Sequence, residues 1–274
     1  MCELFSMSSR YPATVSFSLE EFARHGGEAG PHTDGWGIAF YEQHDARLIR
    51  EPESASDSPC IALIKKYYFR SQLVLSHLRK ATFGEVSLAN TQPFSRELGG
   101  RLHLFAHNGD LPGIEQHPDF GLISFQPIGA TDSEHAFCHL MSMLEQIWRQ
   151  ADAPGLASRY AAVAAFARKL RTLGPGNFLY SDGEYLFAHG HQRSQPGRDG
   201  FHPPGLYWLC RTCRLGQKPQ PIRGLDLRYN DPEQRVVLIA SVPLTEEKWV
   251  PFGEGEILVC KEGQTQSKFT QSAR

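Results

Sequence analysis

Leu102-His103-Leu104-Phe105-Ala106-His107-Asn108-Gly109-Asp110-Leu111-Pro112 is the stretch on which the reading of this chain turns. Leu102 to Phe105 leads in as a strand. Asn-Gly is a strong two-residue hairpin signal because both residues accept positive φ. Here, however, Asp110-Leu111-Pro112 leads out as a turn and no second strand follows at once. The segment is therefore a strand that ends in a polar loop, with an amide side chain and a backbone N–H at its tip.

Working outward, the apolar run Leu73-Val74-Leu75 reads as a buried strand that opens into His77-Leu78-Arg79-Lys80-Ala81-Thr82-Phe83-Gly84. Asn90-Thr91-Gln92-Pro93-Phe94 comes between these two strands. Downstream, Phe137, Leu140, Met141, Leu144, Ile147 and Trp148 recur at helical spacing, so residues 133–149 form an amphipathic helix. Thr131-x-x-Glu134 gives it a capping box, and Asp132 stands at its positive end, where a negative charge is favoured.

Further strands are expected at 36–42, 206–210, 235–241 and 256–260, and helices at 59–69 and 155–172. Asn177 to Tyr180 and Tyr185 to Ala188 flank Ser181-Asp182-Gly183-Glu184, a hairpin signature. Residues 191–205 read as a long loop suited to a lid or a partner surface, and residues 261–274 as a polar tail. This order suggests two antiparallel sheets with a helix pair outside, an α+β architecture.

Cys2 is the candidate nucleophile. If Met1 is removed, Cys2 carries a free α-amine beside its thiol, with ordinary pKa values near ~8 and ~8.5. Nucleophile and base would then share one residue, and no separate catalytic histidine is needed.

Cys2 followed in order by the segments at 77–84, 90–94, 105–109 and 131–134 resembles the glutaminase domain of class II glutamine amidotransferases, a branch of the N-terminal nucleophile hydrolases. The stand-alone members are the most similar. The resemblance implies a four-layer αββα sandwich and a glutaminase domain over residues 2–260. It implies that Cys2 attacks the substrate amide while the Asn108 side chain and the Gly109 N–H form the oxyanion hole. It further implies that Arg79 holds the substrate α-carboxylate, Asp132 pairs with the α-ammonium, and Thr82 and Phe83 wall the site. Lys80 departs from the pattern of synthase-fused relatives, which carry an aromatic there. Asp34-Gly35-Trp36-Gly37 also resembles the family, where it lies near the nucleophile.

The substrate implied is glutamine or a γ-glutamyl compound, with no cofactor and no metal. With no synthase domain recognisable, ammonia would pass to a separate subunit, or else the enzyme is a plain γ-glutamyl hydrolase. A non-catalytic binding protein on this fold is the remaining alternative, and Cys2, Arg79, Asn108 and Asp132 together argue against it.

Composition narrows the partners. The 274 residues are 41% hydrophobic, with 28 basic and 30 acidic residues interspersed and a net charge of -2, which argues against nucleic-acid binding. No apolar run approaches the ~18 residues of a membrane helix and no signal peptide is evident, so the expected compartment is the cytoplasm. Cys210-x-x-Cys213 lacks a second pair, and His135 and His139 lack the His-Glu-x-x-His order, so neither is a persuasive metal site.

Overall fold

The computed structural model describes residues 2–15, 32–81, 84–151, 153–195, 197–213 and 233–266. Two antiparallel sheets lie face to face. The first comprises β1 (Glu3–Thr14), β2 (Trp36–Glu42), β3 (Asp45–Glu51), β4 (Arg70–Leu78), β11 (Tyr207–Cys213), β12 (Gln234–Ala240) and β13 (Val250–Pro251), in the order β13-β11-β12-β1-β4-β2-β3. The second runs β15-β14-β8-β7-β6-β5, from β5 (Phe94–Leu98), β6 (Arg101–Asn108), β7 (Asn177–Ser181), β8 (Leu186–Gly190), β14 (Glu256–Lys261) and β15 (Gln264–Thr265). A two-stranded ribbon of β9 (Arg193–Ser194) and β10 (Phe201–His202) stands apart, inside the segment expected as a long loop.

The layers follow from strand alternation, because successive side chains point to opposite faces. Leu4, Ala39, Leu75, Leu104, Ala106, Leu179, Ala188 and Leu258 meet between the sheets. Phe5, Met7, Ile38, Phe40 and Val74 point the other way, onto Ile61 and Ile64 of α1 (Pro59–Tyr67). On the far side, Phe105 and Phe178 pack against Phe137, Leu140 and Phe166 of α2 (Asp132–Trp148) and α3 (Leu156–Leu170). The result is the αββα sandwich that the resemblance implies.

Three strands of five or more residues, β1, β3 and β5, carry no signal in the sequence. β1 was not anticipated, yet it lies inside the first sheet, paired on one side with β4 and on the other with β12. Its Ser6, Ser8 and Ser9 are buried, so hydrophobicity does not mark it. Ser8 Oγ instead accepts a hydrogen bond from Gly263 N, and Ser9 Oγ donates to the Tyr11 carbonyl. β3 is a charged edge strand, and β5 is a short one with only Phe94 buried. The polar tail expected from residue 261 begins inside the β14–β15 hairpin, where Lys261 pairs with Gln264; residues 267–274 lie outside the described residues.

Three buried histidines tie this fold to pH. Burial pushes His77 and His189 down to about 3 and His103 to about 4. Each folded value lies below the unfolded one near 6.5, so the unfolded chain binds more protons as the pH falls. Their contribution to stability is complete above about pH 6.5 and is lost as the pH falls through 4 towards 3. The urea midpoint is therefore expected to drop steadily between pH 6.5 and pH 4, and a His189→Gln variant should show a shallower drop. An equal slope in that variant would contradict the assignment.

Candidate active site

The expected site residues among those described stand at the ends of elements from both sheets and of α2. Cys2 immediately precedes β1, and Arg79 immediately follows the neighbouring strand β4. Lys80 N donates to Cys2 Sγ at 3.4 Å, and the Cys2 thiol faces the Lys80 carbonyl at 3.5 Å. Burial raises the thiol pKa; the Lys80 backbone contact and the Arg79 charge pull it down, and Asp110 pushes it up. Cys2 thus lies within the electrostatic reach of both sheets, since Asp110 follows the last strand residue of β6 by two positions.

Arg79 is only 4% exposed, and its guanidinium is anchored on backbone carbonyls. Nη1 donates to Glu85 O at 3.0 Å and to Asp34 O at 3.4 Å, and Nη2 donates to Gly84 O at 3.1 Å. Burial lowers its pKa, opposed by Cys2 and Asp34. Asp34 is drawn in as well: its Oδ2 accepts from Ala81 N at 2.8 Å, and Gly35 O accepts from Arg79 N. The Asp34–Gly37 segment therefore borders the arginine, in keeping with its expected place near the nucleophile.

Asn108 ends β6 and is fully buried. Its carbonyl accepts from Asn177 Nδ2 at 3.0 Å, but neither polar atom of its side chain has a hydrogen-bond partner among the described residues. Buried amides are almost always paired, so such an exception calls for an explanation. The next residue must be glycine, because a Cβ at Gly109 would collide with the Pro175 carbonyl.

Asp132 is the first residue of α2 and is half-buried. Its Oδ1 accepts from Ser133 N at 2.6 Å, and its Oδ2 accepts from Leu111 N at 2.7 Å, which ties it to the loop leaving Asn108–Gly109. The capping box is only half as expected. Thr131 Oγ1 does accept from Glu134 N, but the buried Glu134 carboxylate turns to Gly129 N and Arg96 Nη2, each at 2.7 Å, because a partly buried cation lies within its reach.

Asp132 lines a cavity of about 520 Å³ together with Asp110, Leu111, Pro112, Ile114 and Glu115. Cys2 and Arg79 are not among its lining residues. The link between Arg79 and the start of α2 is Gly84: a Cβ there would lie 3.7 Å from Arg79 Nη2 and 3.6 Å from Thr131 Cγ2. Thr82 and Phe83, expected as site walls, lie outside the described residues.

Two supports carried no individual role in the sequence reading. Gln92 Oε1 accepts from His107 N at 2.6 Å, which fixes the backbone just before Asn108. Asn177 joins Asn108 O to Gln192 O and accepts from His191 N. Both are neutral amides, without charge or periodicity to distinguish them, and Asn177 sat in what reads as an ordinary hairpin strand. Elsewhere, His135 Nε2 contacts the Phe120 carbonyl and His139 Nδ1 the Gly121 carbonyl. Among the described residues no three His, Cys, Asp or Glu side chains are grouped to hold a metal ion, and no helix is long and apolar enough to cross a membrane.

Comparison with known proteins agrees with this architecture. In the 2.0 Å crystal structure of a "predicted glutamine amidotransferase" from Pseudomonas aeruginosa PA01, the match covers 97% of this chain and 99% of that one, at 30% identity and a TM-score of 0.65. The Bacillus subtilis glutamine phosphoribosylpyrophosphate amidotransferase matches 97% of this chain over 48% of its own, at 16% identity and a TM-score of 0.57, which speaks for the fold alone. The αββα architecture is thus shared with both amidotransferase structures.

The sequence profile of "Glutamine amidotransferases class-II" matches residues 1–274. The Escherichia coli K12 protein named "Putative glutamine amidotransferase YafJ" is 37% identical over 261 residues, covering 93% of this chain and 96% of its own. A Haemophilus influenzae protein of similar name is 34% identical over 96% of this chain and 85% of its own. The chain belongs to the class II glutamine amidotransferases.

Proposed function

We propose that this protein hydrolyses the γ-amide of glutamine or of a γ-glutamyl compound through a thioester on Cys2. The observation that carries the reading is the Asn108 side chain, a fully buried amide without a partner among the described residues, at a turn whose Asp110 acts on the Cys2 thiol. Preorganised donors aimed at a developing oxyanion are the main catalytic device of acyl transfer, and an amide left unpaired in the resting protein is available for that task.

In this mechanism the α-amine of Cys2, freed by removal of Met1, takes the thiol proton as Sγ attacks the γ-carbonyl carbon. The carbonyl oxygen becomes an oxyanion held by Asn108 Nδ2 and the Gly109 N–H. Collapse of this intermediate breaks the C–N bond, and the protonated amine returns its proton to the leaving group. Water then attacks the γ-glutamyl thioester, the amine again takes a proton, and the acid product leaves with the thiol restored. Because burial raises the Cys2 thiol pKa, the base must lie close to sulfur, and an amine on the same residue meets that need.

Arg79 and Asp132 serve as opposite anchors for a zwitterionic substrate. Arg79→Ala is expected to raise KM more than it lowers kcat, because the contact is made in the ground state and the transition state alike. A substrate whose α-carboxylate is amidated should likewise be cleaved about 100-fold less well by the parent enzyme. A fall in kcat alone in initial-rate measurements would remove the carboxylate assignment.

The function itself is tested by intact mass and product release. Active protein should begin at Cys2, gain one adduct from a thiol-directed glutamine analogue, and release ammonia from glutamine or an amine from γ-glutamyl peptides. The two products separate an amidotransferase-type glutaminase from a peptide-directed hydrolase. Full activity in protein that retains Met1 would refute the mechanism.

A further inference from the structure

His107 precedes the oxyanion turn, and its ring stands between that turn and the start of α2. It is 1% exposed. Its Nε2 lies 3.2 Å from the Pro175 carbonyl, the same oxygen against which the Gly109 backbone is pressed. Its Nδ1 lies 2.9 Å from Ser133 Oγ, and Ser133 Oγ lies 3.2 Å from Asp132 Oδ1. A carbonyl oxygen only accepts, so Nε2 must carry the proton. In the neutral ring Nδ1 is then bare, and it must accept from the Ser133 hydroxyl.

This fixes the direction of the whole relay. The Ser133 hydroxyl has one proton and two acceptors in reach, His107 Nδ1 at 2.9 Å and Asp132 Oδ1 at 3.2 Å; with the shorter contact taking it, Asp132 relies on the backbone donors Ser133 N and Leu111 N and keeps acceptor capacity for a ligand. If His107 were protonated, Nδ1 would donate to Ser133 Oγ, and the hydroxyl proton would turn onto Asp132. The charge of an α-ammonium anchor would then be partly quenched from behind.

We propose that neutral His107, in its Nε2–H form, is a positioning residue that couples the Asn108–Gly109 turn to Asp132 through Ser133. This rests on the function proposed above. The effect is that the oxyanion donors and the α-ammonium anchor are held in one frame, with Pro175 as its fixed point. Titratable groups that act on the ring are Asp132 and Asp110, which favour its protonation, and His77 and His189, the other buried rings close enough to interact with it. Burial outweighs the two carboxylates and lowers the His107 pKa.

The test combines the tautomer with kinetics. In protein labelled with nitrogen-15 at histidine, the His107 signals, identified by their absence in His107→Asn, should show protonated Nε2 and bare Nδ1 at pH 7. Ser133→Ala should shift the Nδ1 resonance. His107→Asn can keep an acceptor for Ser133 but loses the Pro175 contact, and His107→Gln can keep a donor for Pro175 but loses Ser133. Both should lower kcat about 10- to 100-fold, the range expected when catalytic groups are misplaced by about 1 Å. Ser133→Ala combined with His107→Gln should cost no more than His107→Gln alone, since both cut one connection.

A protonated Nδ1 at pH 7, or unchanged kcat in His107→Gln and Ser133→Ala, would overturn the inference. A folded His107→Asn protein, judged by an unchanged thermal midpoint, ensures that a rate loss is not a loss of structure. Absence of any glutamine or γ-glutamyl turnover in the parent protein would instead overturn the function on which this rests. A wrong tautomer with turnover intact would remove only the role of His107.

Discussion

Cys2→Ala is expected to reduce turnover by about 10⁴-fold or more while leaving affinity for the product amino acid unchanged within about twofold. The size follows from the chemistry: without sulfur there is no thioester, and a methyl group cannot be activated by any neighbouring base. Affinity should persist because the anchoring is assigned to Arg79 and Asp132, and neither depends on sulfur for its hydrogen bonds. Initial rates of ammonia release and calorimetric titration with L-glutamate check the two halves separately. Turnover above about 1% of the parent would show that another group attacks the substrate.

Asn108→Ala should cost about 100- to 1000-fold in kcat, the usual penalty for one lost oxyanion donor. Stability should barely fall, and that combination is diagnostic. A buried amide that already lacks partners among the described residues contributes no hydrogen bond to folding, so truncating it removes an unpaired polar group. A structural asparagine would behave in the opposite way, with a large drop in the denaturation midpoint and little change in kcat. Asn177→Ala provides the contrast, because that side chain joins Asn108 O, Gln192 O and His191 N and should cost stability when removed.

Much of the architecture was legible because its strands are apolar. Leu73-Val74-Leu75, Leu102 to Ala106 and the Ser181–Glu184 hairpin all carry alternation or turn chemistry that the fold uses directly. β1 escaped because its buried serines are paid for by hydrogen bonds that no hydropathy pattern reveals. In the site, the positions of Arg79, Asn108 and Asp132 at element ends follow from strand and helix boundaries. The carbonyl cradle of Arg79 and the His107–Ser133 contact do not, because they join residues 5 to 45 positions apart through loop geometry.

Cys2 heads a strand of one sheet, whereas Asn108 ends a strand of the other. Ala39, Ala106 and Ala188 are small members of the core packed between the two sheets. If Cys2 attacks and Asn108 holds the oxyanion, as proposed, the gap between them is a caliper reading of sheet separation. A bulkier residue at Ala106, fully buried in the core between the sheets, is expected to open the caliper and slow the proposed acyl transfer, which makes this alanine a handle for tuning the rate from inside the core.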